Sequence, residues 1–199
     1  MFSGTALNLG WLLTALHFGS HDGGEVTYAF VSDLPSWMPI LCRCLYALAM
    51  LAILIALWRG AGTFEQLLAA SIASVVAYFA FNSGVHENHL FIACLLSVIG
   101  LWLLPSLRTA LLIVIAISQA ALIAFYGLTG QLGYSRAIGG IDYTIPLAAL
   151  VVLACCFVLI WMLPFVAARD APSATRPSRW SSPGFDSGHA PARAHALEK

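Results

Sequence analysis

Between residues 82 and 91 the chain reads Asn-Ser-Gly-Val-His-Glu-Asn-His-Leu-Phe, which sets His86, Glu87 and His89 in the short connection between two apolar runs. Two imidazoles beside a carboxylate can ligate a metal, hold a tetrapyrrole, donate to a phosphate or move a proton. Ionisable groups at the edge of an apolar segment bear a desolvation penalty unless they have a partner or a task, so this cluster is the first place to look for function. The competing description is an ordinary polar turn, because loops that join membrane helices surface in water.

Three chemistries are open to the cluster. As a zinc site it has the wrong spacing: His86 and His89 are three apart, whereas the helical H-E-x-x-H motif places its histidines four apart. As a tetrapyrrole ligand, one imidazole at a membrane edge suffices in principle, although no second histidine lies deep in an apolar run. In the third, histidine donates to the phosphate of an anionic, lipid-linked substrate while Glu87 fixes its tautomer. Neither a metal nor any other cofactor is expected.

Composition defines the solvent. The chain is 60% hydrophobic and 9% charged, against roughly 45–50% apolar and about a quarter charged in ordinary soluble domains. It reads as an all-α integral membrane protein. Formal net charge is zero, which argues against nucleic acid as a partner, since that needs a basic surface. The cysteines at 42, 44, 94, 155 and 156 all lie in apolar runs, without C-x-x-C or zinc spacing, and are expected to be small core residues.

The elements that must position the cluster follow from apolar runs measured against the roughly 20 residues needed to cross about 30 Å of hydrocarbon. Five transmembrane helices are expected: Trp37 to Trp58, Glu65 to Asn82, Leu90 to Leu104, Thr109 to Leu128 and Thr144 to Ala168. The third is short, and the histidine loop is the natural extension of it. Ser36 with Pro39, and Thr144 with Pro146, suit helix starts, because proline in a first turn gives up only an unpaired N–H. Leu7 to Phe18 is too short to span and is broken by Asn8, Gly10 and His17, so it reads as an interfacial or re-entrant helix. An acidic stretch with Asp22, Glu25 and Asp33 follows it. Small residues at four-residue spacing, Ala69, Ala73 and Ala77, then Ala116, Ala120 and Ala124, mark expected helix contacts.

Three regions result: 1–36, an interfacial or re-entrant segment with an outward acidic loop; 37–168, the five-helix bundle; and 169–199, a tail rich in Pro, Ser, Ala and Arg that is expected to be disordered. No lysine or arginine precedes Arg43, so an ordinary signal peptide is not expected. Arg59, Arg108, Arg169, Arg176, Arg179, Arg193 and Lys199, seven of the nine basic residues, fall in alternate connections and the tail. The positive-inside rule makes those segments cytoplasmic in a multi-pass plasma (inner) membrane protein, with the His86 loop extracytoplasmic. Arg43 lies about 9 Å into its span at 1.5 Å per residue, where it snorkels, clamps an anionic headgroup or pairs with Asp33 or Glu87.

Gly84-Val85-His86-Glu87-Asn88-His89-Leu90-Phe91 resembles the Val/Met-His-Glu-Lys/Arg/Asn-His/Tyr-Leu-Phe signature in the C-terminal half of GT-C membrane glycosyltransferases, which transfer sugars from polyprenyl-phosphate donors. Ala6-Leu7-Asn8-Leu9-Gly10-Trp11-Leu12 is similar to their Asn-Leu-Trp-Trp stretch, and Ala124-Phe125-Tyr126-Gly127-Leu128 to the end of a later helix, so the likeness covers about residues 5 to 168. Gly10 and Asn88 depart from the commonest forms. The resemblance implies that His86, with Glu87, His89, Arg43 and Asn8, binds a lipid phosphate or related ligand at the extracytoplasmic face. Such enzymes take their catalytic aspartate from an N-terminal half to which Asp22, Glu25 and Asp33 do not correspond, so no catalytic residue is assigned. The expected function is a noncatalytic or accessory subunit among other integral membrane chains and membrane lipids. The alternatives are half of a split glycosyltransferase using a polyprenyl-phosphate-linked sugar, and a pigment- or haem-ligating subunit of a bioenergetic complex.

The charge distribution makes a topological prediction. A cysteine placed at Ser182 stays unmodified by a membrane-impermeant thiol reagent in intact cells and reacts after permeabilisation; labelling in intact cells reverses the orientation.

Overall fold

The computed structural model describes residues 6–18, 31–86, 88–126, 137–138 and 141–169. Six α-helices dominate it: α1 (Leu9–Phe18), α2 (Trp37–Arg59), α3 (Phe64–Phe81), α4 (His89–Leu103), α5 (Arg108–Tyr126) and α6 (Thr144–Ala167). Single 3-10 turns at Val31–Asp33 and Pro105–Leu107 lead into α2 and α5. A short antiparallel ribbon pairs β1 (Ala137–Ile138) with β2 (Ile141–Asp142) before α6. Four helices, α2, α3, α5 and α6, are long and apolar enough to cross a membrane, and α4 is a shorter apolar helix. Its 15 residues reach about 22 Å at 1.5 Å per residue, less than the ~30 Å hydrocarbon core. The histidine loop does not lengthen it as a helix, because helical structure starts only at His89.

Successive helices alternate in direction. The starts of α2, α4 and α6 and the end of α3 therefore share one end of the bundle, the histidine end. Arg59, Arg108 and Arg169 share the other, the arginine end. Trp58 and Trp102 project there at 91% and 88% exposure, as aromatic side chains do at a membrane–water boundary.

Helix α3 is the most buried span and α2 the least. Ala69, Ala73 and Ala77 are fully buried, as are Ile72, Val76 and Phe79. The absence of bulk on that stripe lets α2, α4 and α6 approach the same helix closely, the form of packing available where lipid provides no hydrophobic drive. The second expected stripe is corrected: Ala116 is exposed and Ala120 half-buried, and α5 instead packs through Ala110, Leu111, Val114, Ile117, Ala121 and Ala124. The cysteines divide likewise, Cys42, Cys94 and Cys155 being buried while Cys44 is exposed.

Local chemistry holds α3 at the arginine end. Thr63 accepts from the Gln66 amide, and the Gln66 side chain returns a bond to the Thr63 N–H at 3.2 Å, a complete capping box. Buried Gln66 also donates through Nε2 to the carbonyls of Phe165 (3.4 Å) and Ala168 (2.5 Å) at the end of α6. Gly60 makes this junction possible, since a Cβ there would overlap the Val166 carbonyl oxygen. Gly62 has φ +70° but open space around it.

These two glycines separate close approach from backbone strain. Gly60→Ala is expected to lower stability in detergent by about 1–3 kcal/mol through overpacking against α6. Gly62→Ala is expected to lower it by only about 1–2 kcal/mol through the left-handed φ. Thermal unfolding of both variants tests the order.

Candidate functional site

At the histidine end, α3 stops at Phe81 and the chain turns through Gly84, whose φ of +70° is left-handed. The chain then re-enters α4 by a reciprocal closure across three residues. The His89 backbone N–H donates to the His86 carbonyl at 3.1 Å, and the His86 N–H donates to Nδ1 of the His89 ring at 2.9 Å. This is the logic of a capping box, with imidazole in place of the usual glutamate or glutamine. The two rings stack at 5.8 Å between centroids and 24° between planes. The three-residue spacing that is wrong for a helical zinc motif is therefore right for closing the turn.

Nδ1 of His89 faces both the His86 N–H at 2.9 Å and the His86 carbonyl at 3.2 Å, so it accepts in one tautomer and donates in the other and is engaged by the turn in both. Nε2 is the ring nitrogen left for partners outside the turn. Among the described residues no group of three or more His, Cys, Asp or Glu could hold a metal ion. His86 is exposed and His89 half-buried, and the structure brings these two together. Glu87 lies outside the described residues.

From His89 a row of rings crosses the bundle. His89 meets Tyr78 of α3 edge-on at 5.6 Å, and Tyr78 meets Tyr46 of α2 edge-on at 5.9 Å. Below this row lies a cleft of about 240 Å³ lined by Tyr46, Ser74, Val75, Tyr78, His89 and Ile92. The Ser74 hydroxyl is spent on the Ala70 carbonyl at 2.8 Å, which leaves the inner part of the cleft apolar. Sequence reasoning missed both tyrosines. The available signal was their spacing: Tyr46 and Tyr78 sit near the same end of adjacent, oppositely directed spans.

Arg43 is exposed, one turn nearer the helix start than Tyr46. Asn8 is separate from the histidines. It is buried, donates from Nδ2 to the carbonyls of Phe79 (3.0 Å) and Asn82 (3.3 Å), and accepts from the Trp11 N–H at 3.1 Å. One amide thus caps the start of α1 and the end of α3 together. Helix α1 lies against this end through Leu7 and Trp11, which cluster with Ala124 and Ala148, and through Leu13, which clusters with Leu34, Met38 and Cys42. Comparison with protein-family models, with curated proteins and with solved structures found no match.

Two substitutions distinguish the roles. His89→Ala is expected to speed hydrogen exchange of the His86 amide by up to about tenfold, the loss of one ordinary hydrogen bond, with no change at Gln66. Asn8→Ala is expected to cost about 1–3 kcal/mol of stability because it leaves buried backbone groups unpaired. Exchange mass spectrometry and thermal unfolding measure the two effects.

Proposed function

We propose that the chain is a multi-pass subunit of the plasma (inner) membrane that binds a lipid-borne phosphate at its histidine end and does not itself transfer a group. In this reading it resembles the C-terminal half of a GT-C glycosyltransferase, acts beside other integral membrane chains, and keeps its histidine end extracytoplasmic and its tail cytoplasmic. The observation that carries the reading is the His86–His89 closure. With Nδ1 of His89 engaged by the turn, Nε2 is the nitrogen left for other partners, and in its protonated form it donates to an anion.

Transfer of a sugar to a hydroxyl needs a positioned base beside the leaving phosphate, a contribution of about 10²–10⁴ in rate. The phenols of Tyr46 and Tyr78 do not suit that role, and Nδ1 of His89 is engaged by the turn.

The purified chain is expected to show no turnover with polyprenyl-phosphate sugars, and to copurify in mild detergent with a second membrane-spanning chain. Turnover by the isolated chain, abolished by Glu87→Gln, overturns the noncatalytic reading and makes Glu87 the base. Turnover that appears only with the second chain present supports a split glycosyltransferase.

A further inference from the structure

The cleft beneath the ring row has a definite architecture. Its floor is α3, through Ser74, Val75 and Tyr78, and its walls are α2, through Tyr46, and α4, through His89 and Ile92. Both walls are apolar helices of the bundle, so the molecules that reach the cleft sideways are lipids. From Ser74 to Tyr78 is four residues, about 6 Å along the helix. The volume of about 240 Å³ is below the roughly 300–1,000 Å³ of pockets that take a whole drug-sized ligand. It suits a short segment of a hydrocarbon chain.

The polar groups gather at one end of the cleft. His89 and the two tyrosines form its histidine end, while Val75 and Ile92 lie deeper. Arg43 stands three residues before Tyr46, which places their Cβ atoms about 5–6 Å apart on adjoining strips of α2. Arg43 is exposed and has no ion-pair partner among the described residues. Guanidinium takes phosphate in a two-bond fork, and the His89 ring on the opposite wall adds a nitrogen that donates in its protonated form. Apolar cleft, donor row and cation follow one another from the bundle interior toward its end, in the order of chain and headgroup in a bilayer lipid.

We propose that the groove between α2 and α4 is a binding site for an anionic phospholipid, its acyl chain against Val75 and Ile92 and its phosphate held by Arg43 and His89. The short groove grips only the first few methylenes, so the site depends on the abundance of bilayer phospholipid and on the charge of its phosphate. It exists whether or not the chain has a catalytic partner.

The full chain, purified in mild detergent, stripped of lipid and titrated with phosphatidylglycerol or phosphatidylcholine, provides the test by native mass spectrometry. Phosphatidylglycerol is expected to be retained about tenfold better, because both phosphates can meet Arg43 but the choline cation of phosphatidylcholine stands against the guanidinium charge. Arg43→Gln should remove that preference, and Ile92→Trp, which narrows one wall, should reduce retention of both lipids. Equal retention of the two lipids by the unmodified chain, or an unchanged preference in Arg43→Gln, overturns the site. Arg43→Gln alters an exposed side chain and remains decisive if Ile92→Trp fails to fold. Stronger retention of a polyprenyl phosphate than of phosphatidylglycerol overturns the phospholipid assignment while supporting the lipid-linked reading of the histidine end.

Discussion

Helix ends present backbone groups that hydrocarbon cannot satisfy, and the whole bundle depends on how the two ends of α3 meet that constraint. Each is held by one buried amide side chain. At the arginine end Gln66 completes its own capping box and reaches across to the last carbonyls of α6. At the histidine end Asn8 takes the last carbonyls of α3 while capping α1. Carboxamides suit both places because they donate and accept without bringing charge into a low-dielectric setting.

With its ends fixed, α3 serves as the axis on which the other helices are laid. Its alanine stripe sets close contact with α6 and with the inner halves of α2 and α4. Toward the histidine end the stripe gives way on one side to Ser74, Val75 and Tyr78, and there a cleft lies between the walls. Packing that is close on one face and relieved on another produces a lipid-sized groove without any break in the helices. The row from His86 through His89 and Tyr78 to Tyr46 roofs that groove with rings whose edges and faces attract one another.

The histidine pair shows how a motif can serve structure and chemistry at once. His86 and His89 close the turn into α4, and Nδ1 of His89 is engaged by the His86 backbone while the ring also meets Tyr78. The short α4 starts from this loop at the bundle end, where α1 packs against α2, α5 and α6.

Hydrophobic run length by itself determined the order and limits of the five apolar helices to within one or two residues, as Trp37–Arg59 and Thr144–Ala167 illustrate, although only four of them are long enough to span. It did so because a bilayer sets one length for every span and allows almost no conformation other than helix. The Ala69, Ala73 and Ala77 stripe was legible for the same reason. The Thr63-x-x-Gln66 capping box was also written in the chain and went unread, as did the tyrosine spacing. Facing and partnership required tertiary structure. Ala116 and Ala120 have the spacing of a contact stripe yet are exposed and half-buried respectively, because lipid and protein are equally apolar and periodicity cannot tell them apart. Asn8 and His86 belong to one motif-like pattern in sequence, but Asn8 is spent on carbonyls more than 70 residues away. Hydrogen-bond partners at that separation are set by which helix ends meet, and only the folded bundle decides that.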